Sequence, residues 1–277
     1  VDFDQRGHVV KGTRVLVTEG STQAMSEWVV TTSGNPVPGR SAIAFSLHAG
    51  GSLLDQDLDT RAVAITQSID ASINWITTHG YTTVNDLGGG TYKRASSEPS
   101  HPGKFQSADG TWWELDTNEP NPHQFGAKGD YSYSTFTGTN DLTAFQNCRD
   151  YAYTRKCVAH LFHKDYMISQ LVVADTEANH DTSHKALTFQ GVAYDGRPNQ
   201  FLSATLVLAP GANESLIYQD VGGPPIIWER VIFDGNKSQQ SAGTSYAYQL
   251  ADVVDFDVGE YFYGAKFYWC HFRIRSF

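Results

Sequence analysis

The chain has 277 residues, 40% of them hydrophobic, and a formal net charge of −10, so it can bury a large core, and its length allows more than one domain. The acidic balance, with no Lys/Arg stripe, excludes nucleic acid as a partner, because phosphate binding needs clustered cations. No apolar window of about 18 residues is present and nothing resembles a signal peptide, so a soluble protein without membrane insertion is expected.

The first elements are β-branched runs. Val9-Val10 through Arg14-Val-Leu-Val-Thr18 and Glu27-Trp-Val-Val-Thr-Thr32 flank a polar segment and predict a hairpin. Pro36, Pro38 and Gly39 break the pattern, and residues 41–47 offer a third strand. Residues 1–54 therefore read as a small β module. From 55 to 80 the period changes. Leu58, Ala62, Ile65, Ile69, Ile73 and Ile76 recur at helical spacing, Asp55, Asp57 and Asp59 suit a helix N-terminus, and Gly80 suits a C′ position. The pattern predicts one long amphipathic helix. Its near-heptad isoleucines suit a three-stranded bundle on a threefold axis, although a helix laid on its own sheet would show the same stripe.

Residues 81–122 return to strand hairpins, at 81–84, 88–94 and 110–115, and end in a linker rich in Pro and Asn. His123-Gln-Phe-Gly-Ala-Lys-Gly-Asp130 follows, with Gly126 and Gly129 able to adopt the positive φ of tight turns. A cap helix is predicted over 140–156. Strands are predicted at 158–162, 166–173, 186–192, 204–208, 215–218, 226–233, 246–256 and 261–272, with Phe233 and Phe272 placed to stack in an inward ladder.

Phe125-Gly-Ala-Lys-Gly-Asp130, followed by Asp141, Ala144, Phe145 and Gln146, resembles the opening of the pectate-lyase-like domain of bacteriophage tailspikes. It departs from that pattern at residues 131–138, which replace a short acidic loop. Gly-Gly-Gly-Thr-Tyr-Lys-Arg at 88–94 and Ser-Ala-Asp-Gly-Thr-Trp-Trp-Glu-Leu at 107–115 resemble the hairpin linker that tailspikes carry ahead of that opening, and residues 9–17 with Trp28 are similar to tail-fibre modules. The resemblance implies a mainly β protein: the N-terminal β module for virion attachment, the helix, then a right-handed parallel β-helix over 123–277. On periodicity alone a β-sandwich competes. The chain stops inside a strand-like run with no polar solenoid cap, so we expect it to be part of a longer one.

The function implied is that of a homotrimeric tailspike or tail-fibre subunit, made in the host cytoplasm and located in the virion. Its partners would be other tail or baseplate proteins and a host surface glycan. Two alternatives stand beside it: a polysaccharide depolymerase, either lyase or glycoside hydrolase, and a structural connector without binding activity.

Glycoside cleavage needs two carboxylates about 5–9.5 Å apart. Asp252, Asp255, Asp257 and Glu260 form the densest acidic group among the predicted strands, and Asp255 and Asp257 share one strand face by the period-two rule. Glu229 and Asp234 lie one coil earlier, Asp234-Gly-Asn236 reading as a turn. Tyr261, Tyr263, Tyr268 and Trp269 are candidate sugar-stacking platforms. No metal or cofactor is expected. The Asp55-Gln-Asp-Leu-Asp59 run has Thr60 and Thr66 where a calcium loop needs Gly and Glu, His180 and His184 lack a third ligand, and Gly88-Gly-Gly90 lacks a phosphate-loop fingerprint. Cys148, Cys157 and Cys270 have no metal-ligand spacing and are expected as buried thiols.

Overall fold

The computed structural model describes residues 14–17, 26–30, 45–47, 55–173, 186–191, 204–219, 225–241, 247–250 and 265–273. The chain divides into two compact units, Val1–Asp55 and Gln56–Phe277. In the first, strands β1 (Arg14–Val17), β2 (Ser26–Val30) and β3 (Phe45–Leu47) form an antiparallel sheet in that order, with Val15 opposite Trp28 and Val29 opposite Ser46.

The next elements are β4 (Asp55–Leu58), α1 (Arg61–Thr66), β5 (Trp75–Thr78), β6 (Gly90–Ala95), β7 (Lys104–Gln106) and β8 (Trp112–Leu115). The strands form one sheet in the order β4-β5-β6-β8-β7. This corrects the long helix expected over 55–80. Its acidic start is strand, and Thr60 caps α1 by accepting from Val63 N–H at 3.1 Å. The helix then stops after Thr66. Asp70 draws the backbone into a turn by accepting from Ser72 N–H at 2.8 Å, as polar side chains do when they compete with helix hydrogen bonds. The β-branched run Ile76-Thr-Thr78 pairs with β6 instead. Of the isoleucines expected on a threefold axis, Ile69 and Ile76 are buried in this chain's own core and Ile73 packs against the same cluster. Of that stripe, Ile65 is exposed.

Helix α2 (Leu142–Arg155) caps the solenoid. Ala144, Phe145, Cys148, Tyr151 and Ala152 are its buried face, the i, i+1, i+4, i+7, i+8 stripe of an amphipathic helix. Phe145 meets Tyr166 edge-on at 5.1 Å and lies over Phe189 at 6.3 Å, so the first coil is closed by a helical aromatic.

The coils begin with β9 (Val158–Leu161), β10 (Asp165–Ile168) and β11 (Leu171–Val173). The next is β12 (Leu187–Gly191), β13 (Ala204–Leu208) and β14 (Ile217–Gln219); then come β15 (Ile226–Glu229), β16 (Val231–Asp234) and β17 (Tyr248–Leu250), and finally β18 (Ala265–Tyr268) and β19 (His271–Arg273). They stack into three parallel sheets, β18-β15-β12-β9, β10-β13-β16-β19 and β11-β14-β17. The parallel pairing rules out a sandwich of antiparallel hairpins and makes this a β-helix. Register sets the core: Phe189 and Trp228 stack at 4.6 Å and 11°, Phe233 and Phe272 at 5.1 Å and 15°. Ring spacings near the roughly 4.8 Å between strands are what an inward ladder requires.

Candidate functional site

The motif at 123–130 is architectural. His123 is buried, its Nδ1 2.9 Å from the Ala127 carbonyl and its Nε2 2.9 Å from the Tyr166 hydroxyl. Burial lowers its pKa to about 4, so the ring is neutral, Nδ1 donating and Nε2 accepting. Gly126 and Gly129 take φ of 100° and 58°, and a Cβ on Gly129 would stand 2.7 Å from Lys164 Cβ. Asp130 closes the following loop by accepting from Thr139 N–H at 2.7 Å and its hydroxyl at 2.9 Å. That loop straps the outer side of the β10-β13-β16-β19 sheet. Tyr133 donates to Asp234 at 3.0 Å, and the Asn236 amide donates to the Tyr131 hydroxyl at 3.1 Å. Asp234 also accepts from Asn236 N–H at 2.9 Å, the turn that its sequence predicts, and it is fully buried. It anchors the strap.

The solvent-facing chemistry lies on the β18-β15-β12-β9 sheet. Strand alternation sends Phe189, Trp228 and Phe267 to one side. It sends their in-register neighbours His160, Gln190, Glu229 and Tyr268 to the other. The Gln190 amide donates to Glu229 Oε2 at 2.8 Å, and Glu229 Oε1 pairs with Arg230 Nη2 at 2.8 Å. Arg230 and Trp269 are equivalent corner residues of successive coils, both left-handed at φ 55° and 53°. Arg230 N–H donates to the Tyr268 carbonyl at 2.9 Å, which fixes the stacking of the two corners. The guanidinium then lies 5.4 Å from the Trp269 ring centroid, within the range of a cation–π contact. Trp269 is 63% exposed and Tyr268 48%.

An indole this exposed, beside an amide, a carboxylate and a guanidinium, offers stacking and directional hydrogen bonds at one place. That is the chemistry that receives a sugar ring, whose faces are apolar and whose rim is hydroxylic. Glu229 is the single carboxylate of its ladder, so the second acid that glycoside hydrolysis needs does not come from these strands.

Of the candidate residues, Glu229, Tyr268 and Trp269 sit on this face. Asp252, Asp255, Asp257, Glu260, Tyr261 and Tyr263 lie outside the described residues. Sequence reading missed Arg230 and Gln190 as site members. The signal existed for Arg230: aligning Trp228-Glu-Arg-Val-Ile-Phe233 with Phe267-Tyr-Trp-Cys-His-Phe272 sets Arg230 on Trp269. Gln190 had no signal, because its place depends on register alone.

No protein-family model matches the sequence, and no curated protein does. Solved structures match by fold. The tailspike of Acinetobacter phage vB_ApiP_P1 aligns with a TM-score of 0.52 and 14% identity, covering 78% of this chain and 34% of that one. Tailspike gp49 of Acinetobacter baumannii bacteriophage Fri1, a capsular polysaccharide depolymerase, aligns with a TM-score of 0.52 and 12% identity, covering 79% and 38% respectively. This chain thus spans little more than a third of either tailspike. At such identities the likeness is one of architecture, and its content is that this chain has the parallel β-helix fold of phage tailspikes.

Proposed function

We propose that the chain is part of a tailspike subunit. In this reading residues 1–54 attach it to tail or baseplate proteins of the virion, and its β-helix recognises a host cell-surface polysaccharide, in a homotrimer. The observation that carries the reading is the Trp269 indole, exposed at a coil corner and backed by Arg230, Glu229 and Gln190 on a tailspike-type solenoid. A sugar ring stacked on the indole would meet the Glu229–Arg230 pair at its rim.

The test is binding of purified host surface polysaccharide to the full-length protein and to Trp269→Gly. Glycine suits the left-handed corner, so this variant keeps the fold and removes only the platform. Binding weaker by about tenfold, or about 1.4 kcal/mol, is expected; unchanged binding removes this face from the reading.

Depolymerisation is the second reading, favoured by the acidic run Asp252, Asp255, Asp257 and Glu260, which lies between β17 and β18 in the sequence. Release of reducing ends by the full-length protein, lost in Asp255→Asn or Asp257→Asn, would assign the chemistry there. Binding without release would leave recognition as the function.

A further inference from the structure

On the solvent side of the β18-β15-β12-β9 sheet the negative charge is satisfied and the positive charge is not. The Glu229 side chain is 18% exposed and both its oxygens are engaged, Oε1 by Arg230 Nη2 at 2.8 Å and Oε2 by the Gln190 amide at 2.8 Å. It has little left to accept from a ligand. The Arg230 side chain is more open, at 37%, and its Nε and other Nη have no hydrogen-bond partner among the described residues. These donors lie at the corner beside the Trp269 indole, with the guanidinium 5.4 Å from the ring centroid.

Lys266 adds a second cation to the same face. It is exposed, and it stands opposite Ile227 where Phe267 stands opposite Trp228 and Tyr268 opposite Glu229. Trp228 is buried, so alternation sends Lys266 outward with Tyr268, about 7 Å along the strand, and Trp269 follows at the corner. No partner among the described residues holds the Lys266 ammonium. Glu229, Arg230 and Lys266 together leave one positive charge in excess, on a chain whose net charge is −10. That excess acts locally. At physiological ionic strength charges are screened beyond about 8 Å, so a group bound at the corner meets these cations and not the acidic chain as a whole.

We propose that the glycan taken by this face is acidic: a polysaccharide whose repeat carries a uronic acid. Its carboxylate would be received by the free guanidinium donors of Arg230 while a sugar ring stacks on Trp269, with Lys266 as the second cation along the strand. The inference rests on the recognition reading above and adds to it the charge of the sugar. A carboxylate engages a guanidinium through charge-assisted hydrogen bonds, roughly twice as strong as those a neutral hydroxyl makes. A neutral glycan would gain little from either cation.

The experiment measures binding of the full-length protein to purified host surface polysaccharide, native and after carbodiimide–borohydride reduction of its carboxyl groups to alcohols. Reduction should weaken binding by about tenfold. Raising NaCl from about 0.05 to 0.5 M should weaken the native polymer far more than the reduced one. Lys266→Gln should lower the affinity for native polymer a few-fold, as expected of an exposed ion pair, and that for reduced polymer by less. Arg230→Gly, which also bares the Glu229 carboxylate, should discriminate more strongly in the same direction. Trp269→Gly should weaken both polymers. Equal binding of native and reduced polymer, with Trp269→Gly still weakening both, would overturn the acidic-sugar inference and leave recognition standing. Lys266→Gln and Arg230→Gly both binding native polymer as the parent does would overturn it too. Trp269→Gly without effect on either polymer would remove the face itself, and this inference with it.

Discussion

Asp141 holds Gly129 in place: one carboxylate oxygen accepts the Gly129 N–H at 2.9 Å while the other accepts that of Lys128 at 2.7 Å. The residue ahead of the cap helix thus clamps the glycine turn that leads into the first coil. Burial keeps the Asp141 carboxyl above its ordinary pKa in spite of these two donors. Asp141→Asn leaves one N–H facing an amide NH₂, and should lower the free energy of unfolding by about 1–3 kcal/mol. Asp141→Ala loses both acceptors and should cost more. Denaturant midpoints measure the order; Asn costing as much as Ala would mean that the pair of acceptors is not what the turn requires.

Acid should weaken the fold in two stages. His123, neutral when folded, has a pKa lowered from 6.5 to about 4 by burial. Below pH 6.5 the unfolded chain takes up a proton that the folded chain refuses, so stability falls between pH 6.5 and 4 by about 3 kcal/mol. Asp86 acts lower. Burial would raise its pKa, but the N–H groups of Thr83, Tyr81, Thr82 and Gly88 outweigh it and hold it at about 2. Its contribution is therefore complete above pH 3.8 and is lost as pH falls towards 2, about 1–2 kcal/mol after screening at a partly exposed site. Urea titrations across this range should show both slopes. His123→Gln should flatten the upper one and leave the lower.

The aromatic ladder should dominate core stability. Phe145, Phe189 and Trp228 are fully buried and in sequence contact along the solenoid axis. Each changed to Ala should cost about 3–5 kcal/mol. Neighbours share a cavity, so Phe189→Ala with Trp228→Ala should depart from additivity. Strict additivity of that pair would argue against direct stacking.

The corner tryptophan should behave in the opposite way. Trp269 is 63% exposed and left-handed. Trp269→Gly should match or exceed the parent in thermal stability, since glycine carries no Cβ penalty at this φ. Arg230→Gly at the equivalent corner keeps the backbone but frees Glu229 from its ion pair. Near-parental melting temperatures in both variants would mark these side chains as positioned for a ligand; a loss of several kcal/mol would mark them as structural.

Local chemistry made much of this fold legible in the sequence. The glycines at 126 and 129, the Asp141 start of the cap helix, the Phe233 and Phe272 ladder and the Asp234 turn all follow from neighbours a few residues apart or from one repeated phrase. The helix expected over 55–80 failed because a helical stripe of isoleucines fixes only which residues are apolar. Whether Ile76 buries itself from a helix or a strand depended on β6, whose pairing recovers the backbone hydrogen bonds that Asp70 and its turn interrupt. The solvent-facing groups of the β18-β15-β12-β9 sheet were the least legible. Gln190, Glu229 and Tyr268 come from strands far apart in sequence, and stand in line only because parallel register repeats the same backbone height on every coil. Spacing along the chain therefore settled what this protein can bury, while the stacking of one coil on the next decided which polar and aromatic side chains meet at the surface, because those contacts cross between strands rather than run along them.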